Sequence, residues 1–456
     1  MALRRQNINP WSYNPSVGLR WNFQTESFME NLTWLSHGWI RGSWGQNISP
    51  GASIYDVYGR YTSGGTYNNS PSTELNMKVI PNIGLMPVKT TQLSGAIELG
   101  FFDSRLSFTY ENYYKQTDQQ LRTKDIANHN AFGKVMTNET AMVNMGHEFI
   151  LNYRHQFDNP DWDFSFNANG SINNDYITAL PDDVRQFIEV DPNVTNLATL
   201  FRLGMNSRTN VLLHYNGVYK TDADVPVNPA TGLRYRAGQA TNEGAFFRAG
   251  DPIWTDINGD YILDENDFVF VGNSLPRFTG GFGGFLKYKE WSLNTQFVFS
   301  IKRDILNNAL ADRFRNYADP DNAKGDADGK NPGALVPLDD YDVWRMLGDD
   351  AYYPNPFDFT RINGSFNPYR YDQTLFMEDG SYVKFQTATL AYNFDREGFV
   401  RRLGVSSLRL YLTANNIFTF SRYSGPDPEL VTGMGRDSSN GYPNRRSYTI
   451  GLNVQF

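Results

Sequence analysis

Hydrophobic and polar residues alternate with a period of two along much of the chain. The final ten residues, SYTIGLNVQF, put Tyr448, Ile450, Leu452, Val454 and Phe456 at one set of alternate positions. Ser447, Thr449, Gly451, Asn453 and Gln455 take the other. Successive side chains of a strand point to opposite faces, so this segment has one apolar and one polar face. The stretch from Trp162 repeats the pattern, with Trp162, Phe164, Phe166, Ala168 and Ile172 against Asp163, Ser165, Asn167, Asn169 and Ser171. WSLNTQFVFSI sets Trp291, Leu293, Phe297, Phe299 and Ile301 against Ser292, Asn294, Gln296 and Ser300, and SVGLRWNF sets Val17, Leu19, Trp21 and Phe23 against Ser16, Gly18, Arg20 and Asn22. The polar faces read as the lining of a wet lumen. A length of about ten residues is what a tilted strand needs to cross a bilayer core.

The pattern predicts strands near 13–24, 35–46, 92–101, 105–118, 147–157, 162–173, 197–205, 211–219, 278–287, 291–302, 382–394, 408–420 and 446–456, about thirteen in all. Some connections are very short: FFDS at 101–104, DNPD at 158–161 and YKE at 288–290. Others, such as 220–277 and 303–381, are long and rich in Gly, Asp, Asn and Pro. Short turns on one rim and long loops on the other are the organisation of an outer-membrane barrel. Counting back from a periplasmic Phe456 puts the short turns inside, the long loops outside and the start of the first strand outside the cell. Bacterial single-chain barrels use even strand numbers. An odd count therefore predicts the C-terminal part of a larger barrel.

Composition refines this picture. The 456 residues contain no run of eighteen apolar positions, so no transmembrane helix is expected. The mean hydropathy of −0.52 and 20 % charged content do not argue against a barrel, because lipid-facing and lumen-facing residues average out along each strand. Aromatics reach 15 %, as girdles and cross-strand pairs require. There is no cysteine, which excludes disulfides and thiolate metal sites. The net charge of −8 argues against nucleic acid as a partner. ALRRQNINP after Met1 has no apolar core, so no signal peptide is expected in this chain.

Several long stretches resemble SusC/RagA-type TonB-linked outer-membrane transporters. They are GDPIWTDINGDYILDENDFVFVGNSLPRFTGGFGGFLKYKEWSL, FMEDGSYVKFQTATLAYNF, LRLYLTANNIFTFSRYSGPDPEL and the terminal YPNRRSYTIGLNVQF. GWIRGSWGQN and LGFFDSRLSFTYENYYKQTDQQL upstream are similar to the same family. The resemblance implies an all-β fold: a transmembrane antiparallel barrel of about 22 strands with long extracellular loops, of which residues 1–456 would be the C-terminal part. It also implies a plug domain and a TonB-contact segment, neither seen in this chain, and a SusD-like lipoprotein over the extracellular mouth. The expected partners are that lipoprotein, TonB through the plug region, outer-membrane lipid, and remaining barrel strands from the same or a second chain. Open strand edges in a bilayer are prohibitively costly. The alternating apolar face would meet lipid, and Tyr448 with the terminal Phe456 resembles the signal read by barrel-assembly machinery.

Two constellations carry candidate chemistry. DINGDYILDEND has the spacing of a calcium loop, with Asp256, Asn258, Asp260, Asp264 and Asp267 at positions 1, 3, 5, 9 and 12, and the Ile262 carbonyl at 7. Tyr261 stands where the turn prefers Gly, and Asp267 is shorter than the usual Glu. A solvated acidic turn is the plainer reading. WRMLGDDAYYPNPFDF places Trp344, Tyr352, Tyr353 and Phe357 near Asp349 and Asp350, a mixture suited to gripping sugar rings or packing against a lid. SRYSGPDPEL, with Asp427 and Glu429, reads as a rigid scaffold. GGFGG at 280–284 lies inside a strand with no following helix, so it is not a phosphate loop. The five histidines lack zinc-site spacing, and no nucleophile–base pairing is evident, so no enzyme is expected.

The leading expectation is TonB-dependent import of oligosaccharides or oligopeptides with a SusD-like lipoprotein. The alternative is a repurposed barrel that anchors surface lipoproteins or a larger assembly. A secreted glycan-binding β-protein is a third class, disfavoured by the segregated loops.

Overall fold

The computed structural model describes residues 13–76, 78–127, 129, 132–190, 198–317, 335–362, 367–394, 404–437 and 442–455. Eleven strands form one antiparallel meander: β1 (Ser16–Trp21), β2 (Leu35–Ser49), β3 (Val88–Phe101), β4 (Leu106–Asp125), β5 (Lys134–His155), β6 (Trp162–Ala179), β7 (Phe278–Tyr288), β8 (Trp291–Ile301), β9 (Tyr382–Asn393), β10 (Ser407–Ser421) and β11 (Ser447–Gln455). Each pairs with its chain neighbours, and Val79–Ile80 adds in parallel beside β5 to make a twelve-stranded sheet. Among the described residues, β1 and β11 are edges with one partner each.

Cross-strand register shows how the alternation builds two faces. Trp162, Tyr288, Trp291 and Tyr392 lie side by side across β6–β9. Ring centroids in this row are 4.3 Å apart for Trp162–Tyr288 and 4.9 Å for Trp291–Tyr392. The next row on the same face is Phe164, Leu286, Leu293, Leu390, Leu412 and Ile450. Two rows further, Phe282, Phe297, Phe385 and Phe418 form a ladder with centroid spacings of 4.8, 4.3 and 5.4 Å. Leu286, Leu293, Leu390 and Leu412 are exposed although apolar. An aromatic row bordering an exposed aliphatic band is the lipid-facing surface of a barrel. The opposite face is polar: Thr389 and Thr413 hydroxyls meet at 3.0 Å, and Arg41 pairs with Glu111 at 2.7 Å. At Gly280 a side chain would come within 2.2 Å of the Asn169 carbonyl oxygen and 2.7 Å of the Phe299 ring, so GGFGG serves close strand packing. Among the described residues no helix is long and apolar enough to cross a membrane.

The connections 102–105, 156–161 and 289–290 turn tightly on one rim, which also carries 22–34. On the other rim lie the described residues of 50–87, 126–133, 180–277, 302–381 and 422–446. Described residues of 180–277 and 302–381 fold together into a body with its own core, and 422–446 joins it where Arg436–Asp437 pairs with Leu306–Asn307. Tyr215, Phe247, Trp254, Phe314, Trp344, Tyr369 and Phe376 are buried there. Two sequence expectations are corrected by this body. The segments 197–205 and 211–219 are not sheet-spanning strands, so the long strands number eleven among the described residues rather than about thirteen. Ala198–Arg202 and Thr209–Leu213 join Gln186–Val190 and Phe268–Val271 in a separate four-stranded sheet, and Tyr215–Val218 pairs with Pro252–Trp254. Thr209–Leu213 is buried at every position. It has no face to give to lipid, and at five residues it is too short to span.

Candidate functional site

The aromatic–acidic segment of the long loop divides between the core of the body and its surface. Trp344 is buried and lies over Gly250, where an added side chain would stand 2.8 Å from the indole. Its backbone N–H donates to the Tyr353 carbonyl at 2.9 Å. Tyr353 stacks on Phe314 with centroids 4.9 Å apart, and Phe314 stacks on Tyr369 at the same spacing. Burial holds the Tyr215 and Tyr353 hydroxyls well above the usual phenol range, so both are neutral. Tyr215 donates its hydroxyl to the Tyr352 carbonyl. Asp349 closes a turn by accepting from the Arg345 and Met346 amides at 2.8 and 2.9 Å. Asp350 is at the surface beside Lys220, at 3.0 Å, and Phe357 sits edge-on to Tyr317 at 5.7 Å. Tyr352 and Phe357 are exposed, and so are the neighbouring Met346 and Leu347, which the sequence reading passed over. The only signal for those two is that they are apolar beside a Gly-Asp-Asp turn.

The acidic loop is a chain of backbone-directed carboxylates. Asp256 accepts from the Gly259 and Tyr261 amides at 2.8 and 2.9 Å, and Asp260 accepts from the Ile262 amide at 2.8 Å. Asn258 accepts from the Asp260 amide, and Asp264 from the Asn266 amide. Tyr261 adopts φ +64°, so the backbone takes the left-handed turn without glycine. Asp267 is fully buried and ties the loop shut by accepting from the Ile257 and Asp264 amides at 2.8 and 2.9 Å. Burial pushes its carboxyl above the ordinary value, against the pull of those amides. Among the described residues no three Asp, Glu or His side chains converge on a metal position.

Two charged nodes brace the body. Arg361 donates to Asp251 at 2.7 Å and to the Gly244 and Phe246 carbonyls at 2.8 and 2.6 Å, with both charged side chains buried. Lys384, on β9, reaches Glu429 at 2.5 Å, and Glu429 also accepts from the Asn444 amide side chain at 2.9 Å. Asp427 accepts from the Glu429 and Asn444 backbone amides. The SRYSGPDPEL segment is therefore pinned to the sheet by a lumen-face lysine. Of these groups the sequence reading singled out Asp427 and Glu429, because a proline-flanked pair is visible. Lys384 and Arg361 carry no local signal.

No protein-family model matches the chain. TonB-dependent receptor P3 of Formosa agariphila is 26 % identical over 463 residues, covering 98 % of this chain and 42 % of that protein. TonB-dependent receptor SusC of Bacteroides thetaiotaomicron is 24 % identical over 465 residues, covering 98 % and 40 %. The structure of the RagAB peptide transporter superposes with a TM-score of 0.74 at 20 % identity, covering 97 % of this chain and 43 % of that one. Over nearly its whole length the chain is similar to SusC/RagA-type TonB-dependent receptors. It spans about two fifths of the length of these relatives, their barrel portion. SusC/RagA-type receptors are outer-membrane transporters of Gram-negative bacteria, not enzymes. The leucine band of this chain accordingly lies in the outer membrane, and the looped rim with its folded body faces outward.

Proposed function

We propose that the chain is the C-terminal half of the barrel of an importer that takes up oligosaccharides or oligopeptides, energised through TonB and capped by a SusD-like lipoprotein. The observation that carries this reading is the polar inner face of an eleven-strand wall with a braced body over one rim. Eleven strands are half of the twenty-two that the family resemblance implies, and the edges of β1 and β11, unpaired among the described residues, call for the other half. Tyr352, Phe357 and Asp350, with Met346 and Leu347, are the exposed side chains of this segment, and in this reading they are the tip that meets cargo or the lipoprotein. The acidic loop acts in this reading as a structural brace.

The test is uptake of labelled oligopeptides and oligosaccharides by cells carrying the full-length receptor. A Tyr352→Ala/Phe357→Ala double variant is expected to assemble normally but to lose most uptake or most lipoprotein binding. Unchanged uptake and unchanged binding together would remove the tip from the function. The denatured mass of the native protein separates import from the anchor alternative. A band more than twice this chain's 52.0 kDa supports import, and a band at that mass favours the anchor.

A further inference from the structure

A polar cluster interrupts the lipid-facing band of β2–β6. One cross-strand row on that face reads Gly42, Gly95, Asn112, His147 and Ile172. The row toward the turn rim is Ile40, Ile97, Tyr110 and Phe149, and the row toward the looped rim is Trp44, Leu93, Tyr114 and Met145. Trp44, Leu93, Tyr114 and Met145 are exposed, as an outer girdle is. Asn112 and His147 thus lie just beneath that girdle, on the outer-leaflet side of the membrane.

The cluster has a definite polarity. Tyr110 Oη stands 2.8 Å from His147 Nδ1, and the rings lie nearly parallel at 5.9 Å. Asn112 Nδ2 donates to the Gly146 carbonyl at 3.1 Å, which fixes the amide orientation, and stands 3.2 Å from the same Nδ1. With two donors directed at it, Nδ1 is the acceptor, so the ring proton sits on Nε2. His147 is exposed, and among the described residues no acceptor meets Nε2. A donor left unpaired in hydrocarbon is strongly disfavoured, and polar groups at such depth mark sites.

Beside it the two glycines leave a notch. A side chain at Gly42 or Gly95 would meet nothing within 4 Å, and neither has a left-handed backbone, so neither packing nor a turn demands glycine there. The notch has apolar walls, Ile40 and Ile97 below and Trp44 and Leu93 above. It suits a hydrocarbon chain, and the adjacent donor suits a carbonyl at the head of that chain.

We propose that this notch is a specific site for lipid A. One amide-linked acyl chain lies over Gly42 and Gly95, and its linkage carbonyl accepts from His147 Nε2–H. Outer-leaflet depth is what selects lipid A over a glycerophospholipid, and the proposal rests on outer-membrane placement, not on import. The experiment is native mass spectrometry of the full-length receptor extracted in mild detergent and titrated with purified lipid A. A lost hydrogen bond of ordinary strength is worth about a tenfold change in affinity. His147→Phe, which keeps an aromatic on the face, and Gly95→Leu, which fills the notch, are each expected to cut retained lipid A about tenfold. Leu390→Phe, elsewhere in the band, leaves retention unchanged. Heat-modifiable gel mobility confirms that each variant is folded. The proposal fails if the first two variants retain lipid A like the parent. It also fails if phosphatidylethanolamine is retained equally well, or if the variants change oligomeric state instead of lipid count, which would make the face an interface between copies.

Discussion

The sheet and the extracellular body use the same residue types in opposite ways. In the sheet, Leu293, Leu390, Leu412 and Ile450 are exposed, and their solvent is lipid. In the body, Phe247, Phe314 and Phe376 are fully buried in one cluster and packed against tyrosines, as in a water-soluble domain. Sheet strands are held by long registers with chain neighbours, whereas the body is held by side-chain packing and a few buried charges. Alternation is legible only where one face is polar. The body teaches that a β-rich loop can hide its strands from a period-of-two reading by burying both faces.

The contrast is most sharply tested at Phe314. Phe314→Ala removes a ring stacked on Tyr353 and Tyr369, and is expected to cost the body about 3–5 kcal/mol. Hydrogen exchange should show 302–381 opening while β7–β10 remain protected. Equal loosening of both would mean that the two regions are one cooperative unit.

Phe297→Arg places a charge in the middle of the lipid-facing ladder and is expected to cost about 2–4 kcal/mol in urea unfolding from vesicles. Gln296→Arg, one residue away on the lumen face, is expected to stay within about 0.5 kcal/mol. Similar costs at both positions would contradict the assignment of faces.

Asp267→Ala leaves the Ile257 and Asp264 amides without their buried carboxylate, at an expected cost of about 1.5–3 kcal/mol confined to 256–267. Protease cleavage within that loop is the readout, and an uncleaved loop would deny Asp267 its bracing role.

The smallest effect is one of pH. Burial pushes the Asp251 carboxyl up from 3.8 to about 6, with the Arg361 guanidinium and the Arg248 amide pulling the other way. The folded body holds this proton more tightly than the unfolded chain does. The contribution of Asp251 is therefore full below pH 3.8 and is lost as pH rises through about 6. Asp251→Asn should flatten that slope in the body's thermal midpoint and leave the sheet's unchanged. A slope that survives the substitution would belong to another group.

Strands such as 291–302 and 382–394 were readable to within a residue or two, because each presents about ten alternating positions and ends at a turn. The 197–205 and 211–219 segments were misread because Leu200, Val211, Leu212 and Leu213 sit in a closed core, where apolar runs say nothing about orientation. The tip was half legible. WRMLGDDAYYPNPFDF announces aromatics and carboxylates, but only folding sorts Trp344 and Tyr353 inward and Tyr352 and Phe357 outward. Arg361 and Lys384 were invisible because their partners, Asp251 and Glu429, lie 110 and 45 residues away in sequence. The lipid-facing row of Gly42, Gly95, Asn112 and His147 requires the register of four strands, which no single segment contains.

The two free-standing modes of construction also set an order of events. Each of the eleven long strands pairs with its neighbour in wall order, so a new strand needs only its predecessor to dock, and the wall can grow strand by strand. The body has no such sequence. Leu306–Asn307 pairs in parallel with Arg436–Asp437, across two intervening strands of the wall, and Leu306 also pairs with Met377. The entropy cost of closing that sheet is smallest once β9 and β10 have docked. Loop-closure entropy thus favours closing the body over the rim after the wall beneath it has been laid down.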